Sequence, residues 1–230
     1  MAAAVPHTIR RSARAKRVSV RVDPRDGGIE VVLPQRATAA DAANALIELE
    51  PWIARQQTKL ARARAAVADR GDTLPYLGSE LGRIPEAGRT RTHRRGDELL
   101  VPADQHLQPA AIERWYRRQA QHELAPRVEA AVRELDRTAP GRMRISYVKT
   151  TIRDQRTRWG SCSQSGTISL NWRLMLAPDE VAEYVVVHEV CHLAEMNHSD
   201  RYWTLLAALY PDYEQPRRWL RQHAATLTLA

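Results

Sequence analysis

Three histidines stand close together in the last third of this 230-residue chain, at spacings that suit a metal site. In the segment His188-Glu189-Val190-Cys191-His192 the two histidines are four residues apart. On an α-helix that spacing brings both imidazoles to one face, about 6 Å apart along the axis, so both can bind one ion. His198 follows beyond the natural end of such a helix, where the chain can turn back and supply a third nitrogen. Three protein ligands leave the fourth tetrahedral position of zinc open, which is typical of a catalytic site.

Glu189 lies one step around the helix from His188, beside the expected metal but not bound to it. A carboxylate in that position can take a proton from metal-bound water. A bare HExxH pattern also arises by chance, so the third histidine at a compatible distance is what favours a metal site. The residues therefore predict a zinc-dependent hydrolase, with Zn²⁺ held by His188, His192 and His198 and with Glu189 as the general base.

The histidines need a helix that begins about ten residues before them. The segment Ala177–Glu180 has Pro in the first turn and acidic residues at the positive end of the helix dipole, as helix starts usually do. Val181, Tyr184 and Val185 continue the helical periodicity of the two histidines. We therefore expect one inward stripe that carries the metal ligands.

The rest of the chain predicts an α+β fold with two domains. Residues 1–104 resemble a small β-rich α/β domain, and residues 105–230 resemble a helical domain with a short sheet. In the first domain we expect a hairpin of Val18–Val22 and Ile29–Leu33 around Asp26-Gly27-Gly28, a helical stretch from Thr38 and Asp41 with a break near Pro51, and short strands over residues 71–101.

In the second domain we expect a helix over Pro109–Asp136 that Pro126 kinks or divides, and strands at Met143–Arg153 and Thr167–Asn171. Beyond the helix of the histidines, we expect a helix capped by Ser199 and a last helix with Trp219 and Leu220.

The composition is that of an ordinary globular protein, with 43% hydrophobic and 27% charged residues. No stretch is long and apolar enough to span a membrane, and the first eleven residues lack the apolar core of a secretory signal. We therefore expect a cytoplasmic protein without a membrane partner. Only Cys162 and Cys191 are present, so no disulfide framework is needed.

Positive charge is concentrated at the beginning of the chain. Residues 1–70 hold 13 Lys and Arg against 7 Asp and Glu, which is most of the net charge of +8. Attraction to nucleic acid is one interpretation of this excess. A solvated basic strand face is the interpretation we favour, because no recognition motif accompanies the charge.

Beyond the histidines, several motifs closely resemble those of the YgjP-like metal-dependent hydrolases, bacterial relatives of the SprT-type zinc peptidases. The resemblance covers nearly the whole chain, and its central motifs are highly specific. The matching segments are Arg14–Arg17, Trp115-Tyr116, Thr157–Ser163, Gly166–Ile168, Leu170–Leu174, Ala177-Pro178, His188–His192, Asn197–Ser199 and Trp219-Leu220.

The resemblance implies a zincin-like metallopeptidase domain over residues 105–230, zinc at the same three histidines, and Glu189 as general base. A true metzincin is excluded, because that pattern has Gly where this chain has Glu195 and needs a Met-containing turn downstream, whereas no Met follows Met196. The expected reaction is cleavage of a peptide bond by Glu-assisted attack of zinc-bound water. By analogy with zincins, a peptide or protein substrate would lie extended beside an edge strand, with Thr167–Asn171 as the candidate.

Other residues near these motifs have open assignments. Arg158 and Asn171 are candidate substrate-binding residues; Arg158 could stabilise an oxyanion or hold a phosphate, or its segment could simply be a turn between strands. Cys162 as a fourth ligand would close the site. Asn197 is expected in a turn rather than as a hydrogen-bond partner of a ligand. Tyr202 and Trp203 are expected in the core rather than in the cleft.

Two alternative functions remain at this point. Some YgjP-like proteins are assigned as nucleotide pyrophosphatases, although three imidazoles suit zinc better than the Mg²⁺ that phosphoryl transfer usually recruits. The other alternative is a nucleic-acid-associated module with a latent zinc site, which the basic N-terminal region would permit.

Overall fold

The computed structural model describes residues 6–23, 27–138, 146–155 and 157–229. Helices and three small sheets alternate along the chain, which confirms the α+β class. The chain divides into two compact units, Met1–Asp69 and Arg70–Ala230. This division lies before the predicted boundary after residue 104, because strands of residues 73–102 share a core with the C-terminal part of the chain.

The first unit contains a three-stranded sheet and two helices, with β1 at His7–Ser12, β2 at Ser19–Val22, β3 at Ile29–Pro34, α1 at Ala39–Glu48 and α2 at Glu50–Ala68. Strands β2 and β3 pair antiparallel, as the alternating valines predicted. Of the predicted turn between them, Asp26 lies outside the described residues. Strand β1 pairs parallel to the other edge of β3 and was not predicted, because its polar sequence shows no alternation.

The helices of this unit begin where the sequence indicated. Thr38 caps α1, and Thr38 and Asp41 bond each other's backbone N–H in a capping box. Pro51 stands in the first turn of α2, where its missing N–H costs nothing, so the predicted break between the two helices is confirmed.

In the second unit a four-stranded sheet has the order β4-β5-β7-β6. Its strands are β4 at Thr73–Tyr76, β5 at Ser79–Glu86, β6 at His93–Arg95 and β7 at Glu98–Pro102. Leu74, Leu81 and Leu99 are buried in the same hydrophobic core as Trp115 and Tyr116 of the following helix. Residues 73–102 therefore belong with the C-terminal part of the chain, which moves the division between the units to Asp69.

That following helix, α3, runs without interruption from Gln108 to Thr138. The prediction was that Pro126 would kink or divide this helix; the division is wrong, and the kink stays a prediction. Leu124 and Val128 on either side of the proline are fully buried. We attribute the continuity to this packing, which offsets the roughly 3 kcal/mol that an interior proline costs a helix.

A second small sheet and three helices complete the unit. The strands are β8 at Lys149–Arg153, β9 at Gly160–Cys162 and β10 at Thr167–Asn171. A 3-10 turn follows at Trp172–Leu176. The helices are α4 at Asp179–Cys191, α5 at Asp200–Leu209 and α6 at Glu214–His223. The sheet order is β8-β10-β9. Residues 143–145 of the first predicted strand lie outside the described ranges. Within the described ranges, no helix has the length and apolarity needed to cross a membrane.

Helix α4 is the central element of this unit. It packs against α3, α5 and α6 and also contacts β9 and β10. Most of its residues are buried, so its position is fixed from several sides. A side chain at its C-terminal end is therefore held by a rigid element, which a precise site requires.

Candidate metal centre

The three histidines converge at the C-terminal end of α4. His188 lies in the last turn, His192 immediately follows the last helical residue, and His198 lies two residues before the start of α5. One ligand nitrogen from each lies within 4.8 Å of the other two. The Nε2 atoms of His188 and His198 are 3.3 Å apart. Among the described residues, this is the one cluster of possible ligands with such a geometry.

The hydrogen bond of His192 and the lowered pKa values of His188 and His198 favour the binding of a cation. His192 Nδ1 lies 2.9 Å from the Glu195 carbonyl, which can only accept, so Nδ1 carries the proton and Nε2 keeps its lone pair. Burial, together with the neighbouring His192 and His198, lowers the pKa of His188 to about 3. Burial also lowers the pKa of His198. Neutral imidazoles with free lone pairs are the form that metal ions bind, so this donor set fits a metal ion.

Glu189 lies beside the histidines with its carboxylate unpaired. The side chain is 6% exposed and forms no hydrogen bond or ion pair with the residues described by the structure. Burial raises the pKa of this carboxyl to about 8, against the opposing effect of the Arg158 charge. A buried carboxyl group with free oxygens next to a metal site is suited to exchange protons there.

Gly160 on β9 makes room for this carboxylate. A Cβ atom on Gly160 would lie 2.5 Å from Glu189 Cγ and 2.6 Å from its Oε1, closer than such atoms can approach. Glu189 therefore occupies space that only glycine leaves open. The sequence analysis offered a turn between two strands for this segment, whereas the structure places Gly160 in β9. The sequence gave no sign of the contact with Glu189, which joins residues that are distant in sequence.

Arg158 is exposed in the segment that leads into β9. Its guanidinium forms no ion pair within the described ranges, and its charge lowers the pKa of Glu189. Asn171 is 1% exposed; its amide donates to the carbonyls of Gln155 and Arg158, and its side-chain oxygen accepts from the Arg173 N–H. These bonds give Asn171 a role in holding the Arg158 segment, while its assignment to substrate binding stays a prediction.

Two other open assignments concern Cys162 and Asn197. Burial, together with the Glu189 charge, raises the pKa of the Cys162 thiol to about 11, and its sulfur is not part of the three-histidine cluster. Asn197 lies in the connection between α4 and α5, where its carbonyl accepts from the Ser199 N–H at 2.8 Å. That backbone bond agrees with the expected turn.

Two aromatic residues of α5, Tyr202 and Trp203, contact the histidines. Tyr202 is fully buried, as expected of a core residue, but its hydroxyl also reaches His188. Trp203 stacks on His198 with the ring centroids 5.6 Å apart. The Arg217 guanidinium lies over the same indole at 4.5 Å. Helical spacing predicted both rings in the core; Tyr202 is buried there, whereas Trp203 is half-buried and stacks on His198. The spacing could not reveal the contact of the Tyr202 hydroxyl.

Comparison with known proteins places this geometry in context. The crystal structure of the metallopeptidase zymogen of Pyrococcus abyssi abylysin is similar at 22% identity, over 41% of this chain and 93% of that chain, with a TM-score of 0.34. A search of the curated proteins gave no significant match. The profile of the YgjP-like family, described as its metallopeptidase domain, matches residues 16–223. Because this match spans nearly the whole chain, the protein belongs to the YgjP-like family of metallopeptidase domains.

Proposed function

We propose that this protein is a zinc-dependent peptidase in which Glu189 is the general base. The observation that carries the proposal is the convergence of three imidazoles next to a buried glutamate that forms no hydrogen bond or ion pair among the described residues. Family membership supports a metal-dependent peptidase in general. The choice of zinc follows from the ligand set, because three imidazoles are typical of zinc hydrolases and the open position is what catalysis needs.

His188, His192 and His198 would hold the ion through their Nε2 atoms. Bound there, zinc would supply Lewis acidity toward the substrate carbonyl and lower the pKa of water. Glu189 would accept a proton at a carboxylate oxygen when the nucleophile attacks the carbonyl carbon, and would then deliver that proton to the leaving amine. Arg158, unpaired and near Glu189, would provide positive charge for the developing oxyanion.

The peptide would bind along β9 rather than along β10. Thr167–Asn171 was the candidate edge strand, but this strand, β10, is the central one, paired on both sides. Strand β9 is an edge and carries Gly160, which contacts Glu189. Trp159 and Ser163 direct backbone groups to β10, so by alternation Gly160 and Cys162 direct theirs outward. An extended peptide could pair with these outward groups and place a carbonyl beside the metal.

Pairing along β9 predicts an alternating effect of amide methylation in the substrate. In a peptide series with one backbone N-methyl group moved along the sequence, we expect kcat/KM to fall about tenfold at every second position, because each such methyl group removes one hydrogen bond. The intervening positions serve as matched controls, since their N–H groups would point away from β9. Equal effects at all positions, or none at any, would contradict this placement.

Metal removal tests the proposed activity itself. We expect 1,10-phenanthroline to lower hydrolysis of an unfolded protein by more than about 100-fold, and one equivalent of Zn²⁺ to restore it after the chelator is removed. The isomer 1,7-phenanthroline, which cannot chelate, should have no effect. The same enzyme preparations are also assayed for release of pyrophosphate from nucleoside triphosphates. Metal-dependent release of pyrophosphate without any peptide cleavage would overturn the peptidase proposal.

The basic N-terminal unit does not favour a function in nucleic-acid binding. The Arg10 guanidinium pairs with Glu30 at 2.9 Å, and Arg11 donates to the carbonyls of Pro34, Gln35 and Ala37. Arg25 lies outside the described residues. These two arginines are therefore held by contacts within their own unit, and the solvated basic strand face stays a prediction.

A further inference from the structure

We propose that Tyr202 is a positioning residue that fixes the tautomer and orientation of His188 and thereby sets the metal affinity of the three-histidine site. The proposal deepens the function proposed above, because it concerns the same metal centre. It rests on contacts that Tyr202 makes with all three histidines and on the number of protons that a phenol can donate.

The Tyr202 ring forms one wall of the site. It stacks on His192, with centroids 4.7 Å apart and planes 27° apart. It meets His198 edge-on at 4.7 Å and His188 edge-on at 5.4 Å. The ring is fully buried and starts from the first turn of α5, whose N-cap Ser199 directly follows His198. Tyr202 therefore contacts His188 and His192, at the end of α4, as well as His198, in the connection between α4 and α5.

The hydroxyl group makes two contacts with His188. Its oxygen lies 2.6 Å from Nδ1 of the ring and 3.1 Å from the backbone carbonyl oxygen of the same residue. The N–H of His192, which follows the last residue of α4, donates to the Val190 carbonyl. The hydroxyl thus donates to the His188 carbonyl in the last turn of α4, where helices commonly leave carbonyl groups without an intrahelical donor.

The proton count settles the direction of both hydrogen bonds. A carbonyl oxygen only accepts, so the single O–H proton of Tyr202 must point to the His188 carbonyl. The phenol oxygen must then accept from the ring, which requires the proton of His188 to be on Nδ1. A phenol carries its proton at neutral pH, because its ordinary pKa is about 10.

The consequence is a lone pair on His188 Nε2, the nitrogen that faces His198. His192 is set in the same way by the Glu195 carbonyl. His188 and His192 thus both present Nε2 before any ion arrives. Such outer hydrogen bonds to ligand histidines commonly change metal affinity by about 10–100-fold when they are removed.

The test compares zinc affinity of Tyr202→Phe and Tyr184→Phe by competition with a chromogenic chelator. Tyr184 is a matched control: it is also buried, its ring lies 5.7 Å from His188, and its hydroxyl makes no hydrogen bond within the described parts of the chain. We expect Tyr202→Phe to weaken Zn²⁺ binding about 10–100-fold and Tyr184→Phe to leave it within about twofold of wild type. Thermal unfolding of the metal-free variants shows whether both remain folded.

A Tyr202→Phe protein that binds zinc as tightly as wild type would overturn the proposal. If that variant fails to fold, long-range ¹H–¹⁵N spectra of the metal-free wild type decide: a proton on His188 Nδ1 supports the proposal, and a proton on Nε2 overturns it. These readings do not depend on peptide cleavage. A wild type that binds zinc but cleaves no peptide would refute the proposed function while leaving the role of Tyr202 intact.

Discussion

Replacing Glu189 by Gln is expected to lower kcat for peptide hydrolysis by about 10²–10⁴-fold, which is the usual contribution of a positioned general base. The amide has nearly the same shape as the carboxylate but cannot accept the proton. Zinc binding should be unchanged, because the proposed ligands are the three histidines and not Glu189. The measurement is steady-state hydrolysis together with the zinc content of the same preparation.

The control for this experiment is Glu180→Gln. Glu180 is an exposed carboxylate in the first turn of the same helix, far along it from the histidines. We expect that variant to keep both wild-type activity and wild-type zinc content. Full activity in a zinc-loaded Glu189→Gln protein would contradict the assignment of the base, whatever the control shows.

Gly160→Ala is expected to lower kcat by about 100-fold while zinc content stays at the wild-type level. The new methyl group would lie 2.5–2.7 Å from three atoms of the Glu189 side chain, so the carboxylate has to move. A displacement of about 1 Å at a catalytic group commonly costs about 100-fold in rate. The histidines contact other elements and should be unaffected. Gly160 is not among the glycines with positive φ, so its backbone accepts alanine.

Gly82→Ala is the matched control, since Gly82 also lies in a strand and a Cβ there would meet its nearest atom at an ordinary 3.9 Å. A double variant sharpens the test further. In the Glu189→Gln background, Gly160→Ala should cause little additional loss, because both changes act on one group. Independent, multiplying losses would show that Gly160 acts through something other than Glu189.

Local patterns in the sequence predicted helix α4 and the placement of the candidate ligands His188 and His192 at its end. The spacing of His188 and His192 is a property of one helix, and the Ser199 cap of the next helix is also encoded locally. The approach of His198 to His188 and His192 was predicted from its distance along the chain, and the structure brings the three side chains together.

Contacts between distant segments were beyond what local patterns could predict. The approach of Gly160 to Glu189 joins a strand to a helix, and neither segment carries a sign of it. Helical spacing identified Tyr202 as buried but could not show its hydroxyl on His188. The edge position of β9 depends on sheet order, which a three-residue strand does not encode. The division at Asp69 also depends on packing between distant segments, because Leu74 and Leu99 could have joined either core.

X-ray absorption spectroscopy of the zinc-loaded protein tests the central claim most directly. We predict one zinc per chain, bound by three imidazole nitrogens at about 2.0–2.1 Å and one further light atom. A sulfur scatterer at about 2.3 Å, as Cys162 would provide, or fewer than three imidazoles around the ion, would contradict the three-histidine site on which the proposed catalysis depends.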